Sequence, residues 1–438
     1  MLDAAVDVDA AADRRVRSEA STIGSAPISQ QKLVLERGCF GVGSAAPMRI
    51  AVLKESVAWE KRVPIVPDSL GRLAQKKIDV VVERGAGERA LAFDADYERA
   101  GAKIVSTARE AIEQADCVLR VRVPTLDEVA RSKEGSTLVA PLLPLVNLEH
   151  VRVLAARRVT AIALDAIPRT TVAQMMDVLS SQATCAGYCA VVMAAAALPR
   201  FFPMLITAAG TIAPATLLVL GAGVAGLSAI GAARRLGARV EAFDVRKVVK
   251  EQVESLGARF VEVASDEDAQ TTGGYAREVS DEYKRRQAEA LAKHCGKADA
   301  IVCTALVPGR RAPLLVTEEM VKSMKPGSVI VDLAAEQGGN CALTEAGRTV
   351  VRHGVTIIGA LDLPSHVAVH ASQMWSRNME KLLAHVSKDG AFALDTRDEI
   401  VRGCLVTRGG EIVHEATRAA FEEARLRRAS ASLEVQAS

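Results

Sequence analysis

Leu217-Leu-Val-Leu-Gly-Ala-Gly-Val-Ala-Gly226 decides the fold of this chain. Its four leading apolar residues read as a strand buried on both faces, as in a parallel sheet. Gly221, Gly223 and Gly226 then make a G-x-G-x-x-G turn that opens a helix-like run, Leu227 to Leu236. The next strand, Arg239 to Phe243, ends at Asp244. In such a unit the first glycine allows a tight turn and the second lets a pyrophosphate approach the backbone. The third lets helix and strand pack closely. The helix N-terminus offers free N–H groups and a positive dipole to phosphates. Asp244 stands where a carboxylate accepts from a ribose 2′-OH, and its charge opposes a 2′-phosphate, so NAD is favoured over NADP. Arg246, two residues on, reads as a surface or adenine-side residue. A glycine-lined turn that binds nothing is the bland alternative, and the strand, helix and acid in sequence argue against it.

Around this unit the chain alternates strand and helix. Strand-like runs after it are Arg259–Val263, Ala300–Thr304, Ser328–Leu333 and Thr356–Gly359, giving six parallel strands. Runs before it are Arg49–Leu53, Ile78–Glu83, Cys117–Val121, Ser136–Ala140 and Val159–Asp165. The expected fold class is α/β, with two doubly wound Rossmann-like domains. Residues 48–180 plus 371–438 form the first, and 181–370, inserted in it, form the NAD-binding domain; the C-terminal segment returns to the first. Residues 1–47, rich in Ala, Ser and Asp, read as a disordered extension. Met48, directly before the first strand, is an alternative start residue. Between Ala264 and Lys293 the chain turns polar, and Gly273-Gly-Tyr275 suggests a lid with a glycine hinge rather than a plain solvated loop.

Composition narrows the function classes. The 55 basic and 53 acidic residues nearly balance, so nothing points to nucleic acid. Eight scattered cysteines without a C-x-x-C pair fit a reduced, intracellular protein. Cys185 and Cys189 share a helix spacing and read as buried thiols. His366 and His370 have zinc-compatible spacing but no glutamate between them, and no metal is expected. From Gln182 to Ala233 the only charge is Arg200, yet Pro199, Pro203 and Pro214 break the run. It reads as a core helix, a buried connection and the nucleotide unit, and no membrane span is expected.

Four motifs occur in order: Lys61-Arg-Val-Pro64, the glycine unit, Ala305-Leu-Val-Pro-Gly309 and Asp332-Leu-Ala-Ala-Glu-Gln-Gly-Gly339. Together they resemble the alanine dehydrogenase/proton-translocating transhydrogenase superfamily, from Met48 to about Glu415. The amino-acid dehydrogenase branch carries a lysine and a histidine near the nicotinamide. The corresponding segments here are Leu119-Arg-Val-Arg-Val-Pro124 and Leu142-Leu-Pro-Leu-Val146, with neither residue. Arginine does not release its proton and is no substitute base. The transhydrogenase branch instead has Arg, Gln, Asp and Ser at fixed spacing, matched by Arg169, Gln174, Asp177 and Ser180. Without the family, Asp177 and Ser180 would read as a helix start.

The resemblance implies a Re/Si-specific NAD(P)+ transhydrogenase activity, in which hydride passes from NADH to NADP+ held by a separate NADP(H)-binding component. A membrane-spanning component would couple transfer to proton movement. It implies a homodimer, cytoplasmic and peripheral to the inner membrane through its partners. Gly221, Gly223, Val224 and Gly226 would hold the pyrophosphate and Asp244 the ribose. Val245, Arg246, Gly274, Gln287 and Leu306 would complete the pocket. Gln174, Met175, Met176 and Asp177 would face the nicotinamide half, supported by Arg169 and Ser180, with Tyr275 closing over it. An alanine dehydrogenase-like enzyme and a non-catalytic NAD-binding protein are the alternatives.

Overall fold

A computed structural model describes residues 47–263, 280–306 and 311–424, within the compact unit Ala45–Ser438. The N-terminal extension, apart from Pro47, and the Gly273–Tyr275 loop lie outside the described residues. The first sheet begins with β1 (Met48–Val52), β2 (Ile78–Glu83), β3 (Lys103–Val105), β4 (Cys117–Leu119), β5 (Thr137–Ala140) and β6 (Thr160–Ala163). The helix α1 (Ala108–Gln114) precedes β4, and α2 (Leu126–Ala130) precedes β5. A long helix, α3 (Val178–Ala197), leaves this sheet and leads to a hairpin, β7 (Leu205–Thr207) and β8 (Gly210–Ile212).

The second sheet holds β9 (Thr216–Leu220), β10 (Arg239–Phe243), β11 (Arg259–Phe260), β12 (Ala300–Cys303), β13 (Val329–Asp332), β14 (Thr349–Arg352) and β15 (Val355–Gly359). Helix α4 (Val224–Arg235) follows β9, and α5 (Asp281–Cys295) precedes β12. Helix α6 (Ala368–Val386) then returns the chain. After a short ribbon, β16 (Ser387–Lys388) and β17 (Ala391–Phe392), the strands β18 (Leu405–Arg408) and β19 (Glu411–Ile412) extend the first sheet.

The strand orders are β19-β18-β6-β5-β4-β1-β2-β3 and β11-β10-β9-β12-β13-β15-β14. In each sheet six strands are parallel and wind outward in both directions from a central pair, β1/β4 or β9/β12. The second sheet is inserted in the first, because β18 pairs antiparallel with β6. The expected α/β class therefore holds. Leu217, Leu218, Val219 and Leu220 are fully buried between covering helices, as their unbroken apolar run requires. Each contributes roughly 1.5–3 kcal/mol of burial.

Three details differ from the expectation. β3 and the antiparallel edge strand β14 were not expected; β3 has only three residues and β14 is mostly exposed, so both lack the apolar run that marks a central strand. The connection Pro199–Pro214 is not buried. It is the β7–β8 hairpin, with Ile206 75% and Met204 56% exposed. Of the described helices only α3 is long and apolar enough to cross a membrane, and it packs against α4 and α6 instead.

Candidate dinucleotide site

The winding direction reverses at β9/β12, and that crevice is where open α/β sheets place ligands. The three glycines of the turn differ in what surrounds them. Gly221 has φ +101°, and a Cβ there would sit 2.7 Å from Thr304 Oγ1. Thr304 in turn donates to the Gly221 carbonyl at 2.8 Å, tying the turn to the end of β12. A Cβ on Gly226 would lie 1.8 Å from the Gly221 oxygen, so helix and turn touch backbone to backbone. A Cβ on Gly223 would meet nothing within 4 Å beyond its own helix and chain neighbours. Gly223 is the N-cap of α4, without a side-chain cap. This open cradle at a helix N-terminus fits a pyrophosphate.

Asp244 follows β10 and is 9% exposed. Its Oδ2 accepts from Ala222 N at 2.8 Å, so the acid also fixes the glycine turn. Arg246 folds back onto it. Arg246 N and Nε donate to Oδ1 at 2.9 Å, and Nη2 donates to Oδ2 at 2.8 Å. This pairing raises the Arg246 pKa. Of the two readings, surface or adenine-side residue, the half-buried pairing of Arg246 with Asp244 argues against the first, and a ribose diol would share the carboxylate with it. Val245 beside them is half-buried.

The loop after β6 supplies the second set. Arg169, Gln174 and Met175 are exposed, whereas Met176 is buried. Asp177 is the N-cap of α3: Oδ1 accepts from Ser180 N at 2.9 Å and Oδ2 from Ser180 Oγ at 2.6 Å. The helix-start role of this pair is thus physically present, and Asp177 holds Ser180 in place. Asn378 on α6 pins the loop by donating to the Met175 carbonyl at 2.8 Å. The loop and the glycine turn are joined through α3. A Cβ on Gly187 would lie 2.0 Å from the Ala225 carbonyl on α4, and Ser228 Oγ donates to Thr184 O at 2.7 Å. Ten residues of helix, roughly 15 Å, separate Asp177 from that contact.

Leu306, 40% exposed, stands at the end of β12 on the other wall of the crevice. Sequence reasoning missed what holds it. Asn340, fully buried, donates to the carbonyls of Ala305 (2.9 Å) and Pro313 (2.8 Å) and accepts from Ala305 N (3.1 Å). Asp332, also fully buried, accepts from Ala334 N, Asn340 N, Cys341 N and Thr344 Oγ1. The stretch from Asp332 to Asn340 is thus a brace for the loop after β12. Gln287 is half-buried on α5. Gly274 and Tyr275, like residues 307–309 of the Ala305–Gly309 motif, lie outside the described residues.

Where the two sheets meet, the Lys61–Pro64 motif forms a buried charge cluster that spacing did not reveal. Arg62 Nε and Nη2 donate to the two oxygens of Glu60 at 2.9 and 2.6 Å. Nη2 also reaches Asp362 (2.8 Å), and Nη1 reaches Gln182 (3.0 Å) on α3. Trp375 stacks beneath the guanidinium at 5.6 Å. Arg62 holds the Glu60 carboxyl below its ordinary range, whereas burial pushes Asp362 up. The cluster joins the loop after β1 to the loop after β15, bringing C-terminal strand ends of both sheets together.

Two family models cover nearly all of this α/β body. Alanine dehydrogenase/PNT, N-terminal domain, matches residues 51–186, and Alanine dehydrogenase/PNT, C-terminal domain, matches 190–415. The chain belongs to the alanine dehydrogenase/PNT family. Within the family it is 49% identical over 378 residues to an NAD(P) transhydrogenase subunit alpha chain of Rhodospirillum rubrum, covering 84% of this chain and 98% of that one. A solved transhydrogenase from Sinorhizobium meliloti matches with a TM-score of 0.75 at 43% identity, over 83% of this chain and all of that one. An L-alanine dehydrogenase structure matches with a TM-score of 0.71 at 26% identity, over 86% of this chain and 99% of that one. The family expected from the four motifs is therefore correct, and the similarity is greater on the transhydrogenase side.

Proposed function

We propose that this chain is the NAD(H)-binding component of a proton-translocating transhydrogenase. The observation that carries the reading is the α3–α4 contact, which fixes the Arg169–Ser180 loop and the dinucleotide turn to one helix pair. Bound NADH would supply the hydride, and NADP+ on a separate component would accept it. The chain's own work is to hold and orient. Gly221, Gly223, Val224 and Gly226 would take the pyrophosphate at the head of α4, and Asp244 with Val245 and Arg246 the adenosine. Gln174, Met175, Met176 and Asp177 would border the nicotinamide, with Arg169 and Ser180 in support and Leu306 on the opposite wall. Gln287, Gly274 and Tyr275 complete the set by family resemblance.

Hydride transfer between two nicotinamides neither releases nor takes up a substrate proton, so positioning and water exclusion suffice. The segments after β4 and β5 agree with this. Arg120 is tied to Glu55 and Glu128, Arg122 stacks on Trp59 at 4.5 Å, and Leu143, Leu145 and Val146 are exposed apolar groups. A guanidinium does not release its proton and an aliphatic side chain has none to give, so Arg120, Arg122, Leu143, Leu145 and Val146 supply no base.

In the proposed assembly, residues 48–180 with 371–438 form one domain and 181–370 the NAD-binding domain. The protein is a cytoplasmic homodimer, held at the inner membrane by an NADP(H)-binding and a membrane-spanning component. The exposed apolar hairpin β7–β8 supports a second copy as its cover.

The test mixes the purified protein with an NADP(H)-loaded transhydrogenase component and follows hydride exchange between NADH and an NAD+ analogue. Exchange that requires both proteins is expected. Gln174→Asn should slow it far more than it weakens NADH binding. Equal losses would remove the positioning role, and alanine-dependent NAD+ reduction by the chain alone would place it with the amino-acid dehydrogenases.

A further inference from the structure

The first sheet carries a cavity that the dinucleotide site does not use. It has a volume of about 720 Å³ and lies between the sheet and helices α1 and α2. Its origin is the length of α2. Five residues, Leu126–Ala130, make a helix of roughly 7.5 Å, too short to cover β4 and β5. The apolar lining is little exposed: Leu53, just after β1, with Val118 of β4 and Leu138 of β5 lines it together with Ile112 of α1 and Val129 of α2. Its volume falls within the range of small-molecule sites, roughly 300–1,000 Å³.

Arg120, Ser136 and Thr137 are buried polar residues of this lining, and Arg120 carries an unmet donor. Arg120 is 5% exposed. Its Nη2 donates to Glu128 Oε1 at 2.8 Å and to Glu55 Oε2 at 3.3 Å, while its buried Nε has no hydrogen-bond partner. An unmet donor on a buried guanidinium is costly, and an acceptor atom from a ligand would relieve it. The charged lining residues are Arg109, Arg120, Arg131, Lys133, Glu113 and Glu128, and Glu55 and Asp127 beside the lining pair with Arg120 and Arg131. An apolar body and an anionic oxygen head meet both conditions. A sugar or nucleotide would leave its polar groups unpaired against Leu53, Val118 and Leu138.

We infer that this cavity is a binding site for an amphipathic monocarboxylate, its chain lying along β4 and β5 and its head toward Arg120. Occupation has a path to the rest of the molecule. Arg120 holds Glu55, and Glu55 Oε1 accepts from Val121 N at 2.7 Å. The loop that carries Glu55 continues to Glu60 and Arg62 at the junction of the two sheets.

The test is calorimetry on the full chain with octanoate, octanol and octylamine as probes. Octanoate should fill one saturable site at least about tenfold more tightly than either analogue. Ser132→Trp places a bulky ring on the half-buried rim and should abolish octanoate binding while NADH binding stays unchanged. Arg120→Leu should erase the preference for octanoate over octanol. Should that variant fail to fold, Ala108→Phe, also at a half-buried rim position, provides a second block. No octanoate binding, octanol binding as tight as octanoate, or octanoate binding that survives both rim substitutions would each overturn the inference.

Discussion

The glycines of the turn separate folding from binding at the level of single atoms. A methyl at Gly226 collides with the Gly221 carbonyl, whereas one at Gly223 enters open space. Gly226→Ala should therefore lower stability by about 2–3 kcal/mol, as overpacking does. Gly223→Ala should leave the melting temperature nearly unchanged and weaken NADH binding at least about tenfold, because its methyl occupies the phosphate cradle. Thermal melts beside NADH fluorescence titrations distinguish the two. A second residue-scale effect concerns pH. Burial holds the His414 imidazole below its ordinary value, against the opposing pull of Asp165. The folded state then binds fewer protons than the unfolded chain just below about pH 6.5. Its contribution is present above that pH and is lost as pH falls toward the folded value. His414→Gln should flatten the fall in melting temperature between about pH 7 and about pH 5; an unchanged slope would assign that fall to other groups.

At the scale of elements, the α3–α4 contact is the critical join. Gly187→Ala pushes a methyl against the Ala225 carbonyl and forces the helices apart. It should cost about 1–3 kcal/mol of stability and also weaken NADH binding, although residue 187 lies a helix length away from Asp177. Calorimetric unfolding and the same titration measure both losses. The elements that build this join were legible in the sequence because they are long or strictly patterned. Leu217–Gly226 gave strand, turn and helix, and the start of the Gln182–Ala233 run gave a core helix. Elements without such patterns were not legible. β3 has three residues at a sheet edge, and β14 is mostly exposed. The β7–β8 hairpin misled because apolar composition implies burial only when something covers it. In the candidate site, the glycine turn and Asp244 could be read from spacing alone. Asn340 could not, since its partner Ala305 is 35 residues away, and Arg62 meets Asp362 across 300 residues. Such pairs have no local signature.

Across the whole molecule, the exposed apolar groups bear on assembly. Ile206, Met204, Phe201 and Ile212 form an apolar patch on and beside the β7–β8 hairpin. Under the proposed function this patch belongs to the homodimer. Ile206→Asp should shift the protein from dimer to monomer in sedimentation velocity with little change in monomer stability, since residue 206 is 75% exposed. A wild-type chain that already sediments as a monomer would remove the role. The long helix α3 has a different consequence. The stretch between residue 186 and residue 190, where one family match stops and the next starts, falls inside this single rod of twenty residues. The two matched segments thus share one continuous element. A chain severed there would leave each fragment with half a beam and a bare apolar flank, and neither fragment would be expected to survive alone as a usable piece.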